Sequence, residues 1–275
     1  MTTVGFIGVG SMGKLLVEAL LKAGALEPSD VVVSNRTVRK AERFAEHYPG
    51  MRVAPNNVDL AKECDVIVLC VKPLEYGSVL AELKPYVADN QLVISITSPV
   101  LLSDIEQKIS AKVVKVIPSV TNFALTGTSL VMYGSRLEPR ERQNVSRLFG
   151  YISRPVEIDE RDVRVASDLA SCAPAFLSFL MQRLVEEATA VAGISTETAA
   201  LIVGEMIRGV GQLVTDGGFT LTSLQERVAV PGGVTREGID LLEREVGTVF
   251  AQLLQLTQQK HAHDISAVKQ VLADV

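Results

Sequence analysis

The sequence predicts a doubly wound α/β domain on a mostly parallel sheet, followed by an all-α domain. Three observations carry this. Short β-branched runs alternate with helix-period stretches through residue 158. One of those runs, Asp65–Val71 (DVIVLCV), is continuously apolar, as a strand buried on both faces of a parallel sheet must be. From Asp159 onward strand signal almost disappears and long helical stretches replace it.

The first element pair is the most informative. Val4–Leu20 reads VGFIGVGSMGKLLVEAL: a strand, a glycine turn at Gly8, Gly10 and Gly13, then a helical pattern that stops at Gly24. A bare G-x-G-x-x-G carries little weight, but one that leaves a strand and opens a helix is a Rossmann dinucleotide fingerprint. Gly8 permits the tight turn, Gly10 lets the backbone approach a pyrophosphate, and Gly13 lets helix and strand pack closely. The helix N-terminus then offers free N–H groups and a positive dipole end to phosphates. The chain then predicts a strand at Val31–Ser34, a polar helix at Val38–His47, a short strand at Met51–Ala54, and the buried strand ended by Pro73. A helix over Glu75–Lys84, a strand at Leu92–Ile96, a helix at Leu102–Ile109 and a strand at Lys112–Ile117 follow. Strands at Leu130–Tyr133 and Val156–Ile158 flank a helix at Pro139–Phe149 and complete a nucleotide-binding domain of residues 1–158.

Residues 159–275 predict helices at Asp162–Ala192, Thr196–Asp216, Thr235–Gln259 and Asp264–Leu272, punctuated by Gly193, Gly217, Gly218 and Pro231–Gly233. Ala170–Met181 (ASCAPAFLSFLM) has hardly a polar face. A helix apolar all round must be buried on several sides, and so small a domain has little room for that. Burial against a second copy of the chain is expected, hence a homodimer or higher homo-oligomer.

Composition bounds the function. Of the 275 residues, 47% are hydrophobic, so the chain is globular, and a net charge of −5 gives no reason to expect nucleic acid. No uninterrupted apolar run reaches 18 residues and Met1–Gly10 lacks a basic n-region, so neither a membrane span nor a signal peptide is expected. Cys64, Cys70 and Cys172 lie in apolar contexts and read as reduced core thiols, in keeping with a cytoplasmic protein. Three histidines without H-E-x-x-H or C-x-x-C give no metal site.

The dinucleotide is expected to be NADP(H). A site for NAD carries an acid at the end of the second strand to bind the ribose 2′-hydroxyl. Here Ser34 is followed by Asn35, Arg36 and Thr37, and Arg36 can pair bidentately with a 2′-phosphate. Arg39 and Lys40 read as the solvated face of the next helix. No nucleophile–base pair or carboxylate dyad stands out, which suits hydride transfer, where the cofactor carries the chemistry. Val71, Lys72 and Pro73 end the fourth strand at the carboxyl edge where open α/β sheets bind ligands. Lys72 reads equally well as a surface lysine. In Val228–Glu243 (VAVPGGVTREGIDLLE) a Pro-Gly-Gly turn precedes Thr235, a good N-cap, and such a loop can cradle a carboxylate. A capped interhelical turn explains Thr235 as well.

These motifs together resemble the pyrroline-5-carboxylate reductases, along essentially the full length. The resemblance rests on Phe6–Gly13 (FIGVGSMG), Asn57, Val71–Pro73, and Pro231–Thr235 (PGGVT) with Gly238, Leu242 and Glu243. It implies that Gly8, Val9, Gly10, Ser11, Met12, Asn35, Arg36, Asn57, Val71, Lys72 and Pro73 hold the cofactor. It further implies that Ser119, Val230, Gly232, Gly233 and Thr235 hold a small cyclic imine, with the Thr235 hydroxyl near the imine nitrogen, in a site shared between subunits. Three substrate-side motifs depart from the family pattern. Val230 stands where the family has serine, Ala170–Phe176 (ASCAPAF) replaces a Ser-Gly-Ser-Gly-Pro-Ala-Tyr run, and Ile117–Thr121 (IPSVT) replaces Met-Pro-Asn-Thr-Pro. Drift there with intact cofactor motifs is similar to the late-competence ComER subgroup, in which a regulatory role is associated with a reductase-like chain. Two functions are therefore expected: NADPH-dependent reduction of pyrroline-5-carboxylate to L-proline, or a regulatory paralogue that binds the dinucleotide with lost or changed activity. A 6-phosphogluconate-type or 3-hydroxyacid dehydrogenase is disfavoured, because those enzymes use a lysine in the long interdomain helix and Asp162–Ala192 has none.

Overall fold

The structure, a computed structural model, describes residues 2–273. Eight strands form one sheet in the order β3-β2-β1-β4-β5-β6-β7-β8. They are β1 (Val4–Ile7), β2 (Val31–Ser34), β3 (Arg52–Val53), β4 (Val66–Leu69), β5 (Leu92–Ser95), β6 (Lys112–Ile117), β7 (Thr128–Tyr133) and β8 (Arg154–Glu157). β1 to β6 run parallel; β7 is antiparallel to β6, and β8 is parallel to β7. The order reverses at β1, so β2 and β4 flank it on opposite sides. This is the topological switch point at which such sheets bind ligands.

Helices α1 (Ser11–Lys22), α2 (Val38–Ala45), α3 (Asn57–Glu63), α4 (Tyr76–Leu83), α5 (Leu102–Lys108) and α6 (Pro139–Gly150) cover the sheet. Two apolar layers result, one on each face. Ile7, Ile67, Leu69, Val93, Val113 and Ile117 face one side with Tyr76 and Leu80 of α4; Phe6, Val33, Val68, Ile94, Val114 and Val116 face the other with Leu16 and Leu20 of α1. The period-2 alternation of apolar side chains on both faces explains the continuous apolar strand sequences. Lys115 interrupts the first layer. Its side chain is fully buried and pairs with Glu160, while Nζ also donates to the Ser98 carbonyl at 3.2 Å. Burial pulls the Lys115 ammonium below its usual range, against the opposing pull of Glu160.

Beyond β8 come α7 (Val163–Ser167), a π-helical turn at Asp168–Cys172, and then α8 (Ala173–Ala192), α9 (Thr196–Thr215), α10 (Leu221–Val228), α11 (Val234–Val246) and α12 (Val249–Ala273). The chain forms two compact units: residues 1–173 with 256–275, and residues 174–255. The boundary expected at 158/159 therefore lies inside the first unit. Val163, Val268 and Leu272 join the apolar layer on one face of the sheet, which draws α7 and the end of α12 into that unit. Gly77 on α4 allows the approach of α12, since a Cβ there would lie 2.8 Å from the Val271 carbonyl oxygen.

Several sequence expectations need correction. The helix expected over Thr235–Gln259 breaks at Gly247, which has a positive φ of 43°, and the break expected before Asp264 is absent. Lys260 and Asp264 pair one turn apart there and the segment holds no Gly or Pro. α3 and α10 were not expected. Each has a polar cap that the sequence contains: Asn56 accepts from the Asp59 N–H at 2.8 Å, and Thr220 accepts from the Ser223 N–H at 3.0 Å. Among the described residues one helical stretch, Glu160–Ala192, is by length and composition alone long and apolar enough to cross a membrane.

Candidate functional site

The carboxyl end of β1 turns at Gly8, whose φ of 102° and whose place 2.7 Å (Cβ position) from the Cys70 carbonyl oxygen exclude a side chain. The turn is held from both sides. The Gly8 N–H donates to Ser34 O at 2.9 Å on β2, and the Cys70 N–H donates to Ile7 O at 2.8 Å. The Val9 N–H donates to Asn35 Oδ1 at 3.2 Å, and Asn35 Nδ2 donates to Thr37 O at 3.1 Å. Gly13 then brings α1 down on the turn: a Cβ there would lie 2.1 Å from Gly8 O. Gly10 differs. It is exposed at the N-cap of α1, and among the described residues nothing lies within 4 Å of a Cβ placed on it. The space beside Gly10 is open, and the first-turn N–H groups of α1 have no intrahelical acceptor.

That space belongs to a cleft of about 560 Å³ at the switch point. The cleft takes in Gly8, Gly10, Asn35, Arg36, Asn57, Val71 and Lys72 of the expected cofactor set. Val9, Ser11, Met12 and Pro73 do not line it. Val9 is buried in the core with its N–H already committed to Asn35. Asn57 is set by its neighbours: Ser34 Oγ donates to its Oδ1 at 2.8 Å, and its Nδ2 donates to Glu82 Oε2 at 2.8 Å. Arg36 is 88% exposed at the side chain and pairs with Glu75 at 3.0 Å. Lys40, Asn56, Glu75, Ser78 and Glu82 also line the cleft and were missed. Of these, only Lys40 had a sequence signal: it stands four residues beyond Arg36, in the first turn of α2. The Cys70 thiol at the wall is pushed up to about 12 by burial, so it stays protonated.

Ser119 follows β6, fully buried. Its Oγ accepts from the Thr121 hydroxyl at 2.9 Å and its N–H donates to Asn122 Oδ1 at 2.8 Å, so the side chain caps a 3₁₀ turn. Ser171, in the drifted ASCAPAF segment, donates to the Pro118 carbonyl at 2.8 Å and ties two of the altered motifs together.

In the second unit, the Pro-Gly-Gly segment is a tight turn closed by the Gly233 N–H on Val230 O at 3.0 Å, with Gly232 at a φ of 74°. The N-cap of α11 is Gly233, not Thr235 as expected. Thr235 stands in the first helical turn, half-buried, and the described residues offer its hydroxyl no hydrogen-bond partner. Val230 beside it is 57% exposed.

A mostly parallel sheet with a glycine turn and a helix N-terminus at its switch point defines the class of dinucleotide-binding α/β folds. Residues 3–99 match the family model described as NADP oxidoreductase coenzyme F420-dependent, and residues 160–263 match pyrroline-5-carboxylate reductase dimerisation. The chain is 41% identical to ComE operon protein 4 of Bacillus subtilis (strain 168), covering 97% of each chain. It is 31% identical to pyrroline-5-carboxylate reductase 3 of the same organism, covering 95% of this chain and 96% of that one. The fold is shared with Plasmodium falciparum pyrroline carboxylate reductase with NADP bound (TM-score 0.81, 24% identity, 99% and 97% covered). The chain belongs to the pyrroline-5-carboxylate reductase family.

Proposed function

We propose that the chain binds NADP(H) in the cleft beside Gly10 and uses it to reduce a cyclic imine, pyrroline-5-carboxylate, to L-proline. The observation that carries this reading is the open space at Gly10 in front of the α1 N-terminus, next to a tight turn braced by Asn35. Residues of this chain fit the cofactor: first-turn N–H groups of α1 for the pyrophosphate, Arg36 for the 2′-phosphate, and Asn57, oriented by Ser34 and Glu82, for the adenosine end. When bound, the reduced nicotinamide supplies the hydride. The Pro-Gly-Gly turn, with Gly232 and Gly233, holds the substrate carboxylate. Thr235, whose hydroxyl no cap consumes, orients the imine nitrogen. The match to a dimerisation family and the exposed apolar side chains of α8 and α9 support a homodimer.

A second reading is favoured by Val230 and by the 41% identity to ComE operon protein 4: a regulatory paralogue that keeps the nucleotide site. Val230 offers no hydrogen bond where the resemblance implies a serine. One lost substrate hydrogen bond of about 1–3 kcal/mol corresponds to a 5- to 150-fold weakening. The test is the reduction of pyrroline-5-carboxylate with NADPH by the wild type and by Val230→Ser. Turnover in the wild type that rises in the serine variant is the expected result. NADPH binding without turnover in either protein overturns the reductase reading and leaves the regulator.

A further inference from the structure

Glu75 joins the two sides of the cleft. It sits three residues beyond Lys72, in the turn that carries the chain from β4 into α4. The Lys72 N–H donates to Glu75 Oε2 at 3.0 Å, which fixes the carboxylate over the turn. The other oxygen, Oε1, takes Arg36 Nη1 at 3.0 Å, although the two residues are 39 positions apart and leave different strands. Both side chains line the same cleft.

The consequence is electrostatic. A guanidinium recognises a phosphate best when its planar fork is available for two parallel hydrogen bonds. Here one fork nitrogen is already held by a carboxylate, whose own charge also opposes a phosphate dianion. The 2′-hydroxyl of NADH carries no such charge and meets no such opposition. Glu82, the other acid lining the cleft, is turned toward Asn57 Nδ2 and does not reach Arg36.

Resting on the nucleotide-binding reading above, we propose that Glu75 sets the cofactor preference of this chain by competing with the 2′-phosphate of NADPH for Arg36, and so holds the preference for NADPH over NADH below what Arg36 alone would give. Glu75 is a specificity-determining residue here, and it acts through Arg36.

The experiment is a titration of NADPH and of NADH into the full-length wild type, Glu75→Gln, Arg36→Ala and the double variant, read by nicotinamide fluorescence. Glutamine keeps an oxygen to accept from the Lys72 N–H, so the turn is preserved while the charge is removed. For a solvent-exposed pair, Glu75→Gln is expected to tighten NADPH about threefold and leave NADH nearly unchanged. In the Arg36→Ala background the same substitution is expected to gain less than about twofold. Equal changes for both nucleotides in Glu75→Gln would mean that Glu75 acts on the turn alone, and would overturn the proposal. An NADPH gain undiminished in the Arg36→Ala background would overturn it too. Wild-type protein that binds neither nucleotide would bring down the nucleotide-binding reading itself, and this proposal with it.

Discussion

The three glycines of the first turn look alike in the sequence but answer to different neighbours. Gly8 and Gly13 are constrained by the protein's own backbone: a Cβ at Gly13 would lie 2.1 Å from Gly8 O, and one at Gly8 would lie 2.7 Å from Cys70 O. Among the described residues, nothing stands within 4 Å of a Cβ on Gly10. Gly13→Ala is therefore expected to destabilise the fold by about 2 kcal/mol or more, because backbone on both sides of the overlap must shift. Gly10→Ala should change the urea midpoint hardly at all and weaken NADPH binding several-fold by occupying the approach to the pyrophosphate. Urea denaturation and nucleotide titration of both variants check this; loss of stability in Gly10→Ala with unchanged binding would reverse the assignment. Asn35 and Arg36 both line the cleft, but Asn35 also braces the turn through the Val9 N–H, whereas Arg36 pairs with Glu75. Ser119 Oγ accepts from the Thr121 hydroxyl, and its own hydroxyl proton is free to donate.

At the level of elements, the helical segment after β8 is shaped by one proline. Pro174 cannot donate to the preceding turn, and its ring would meet the carbonyl one α-turn back. The wider π turn at Asp168–Cys172 accommodates it and lets the helix continue through Ala192. Asp168, buried at this turn, accepts from Arg164 Nη2 at 2.8 Å and from the Thr257 hydroxyl of α12 at 2.7 Å. His261, one turn further along α12, is buried as well, and among the described residues its Nε2 has no hydrogen-bond partner. Burial lowers its pKa from 6.5, the Arg164 and Lys115 charges lower it further, and the Ser98 backbone and Asp264 oppose the shift. Since the folded state holds this imidazole less protonated than the unfolded chain does, its contribution to stability is present above the unfolded value. That contribution is lost as pH falls from about 6.5 through the lower folded value. The urea midpoint is expected to drop between pH 7 and pH 5, and to drop less in His261→Gln. An equal drop in both proteins would show that His261 is not a source of the acid sensitivity.

For the whole molecule, the deciding quantity is apolar surface. Leu177, Phe179, Leu180 and Leu184 on α8, with Leu201, Ile202 and Met206 on α9, are each more than 40% exposed in the single chain. Large apolar side chains exposed in such number mark an association surface, and association with the folded state makes stability rise with concentration. A Tm that increases over a hundredfold range of protein concentration is the expected outcome; a constant Tm with a monomeric mass in light scattering would count against the dimer. Much of this architecture was legible beforehand. The strands of the sheet, the glycine turn and the helical second half follow from local periodicity, because a strand buried on two faces and a helix apolar all round leave their burial written in every residue. The sequence by itself determined those elements, the nucleotide class of the fold and the departures at Val230 and Ala170–Phe176. Only the tertiary structure decided that Glu75 would reach Arg36 from another strand, that Glu160 would neutralise a lysine inside the sheet layer, and that the end of α12 would pack beside α4. Those pairings join residues tens of positions or more apart. Local pattern records whether a side chain is buried, not which distant partner the chain's path will bring to it.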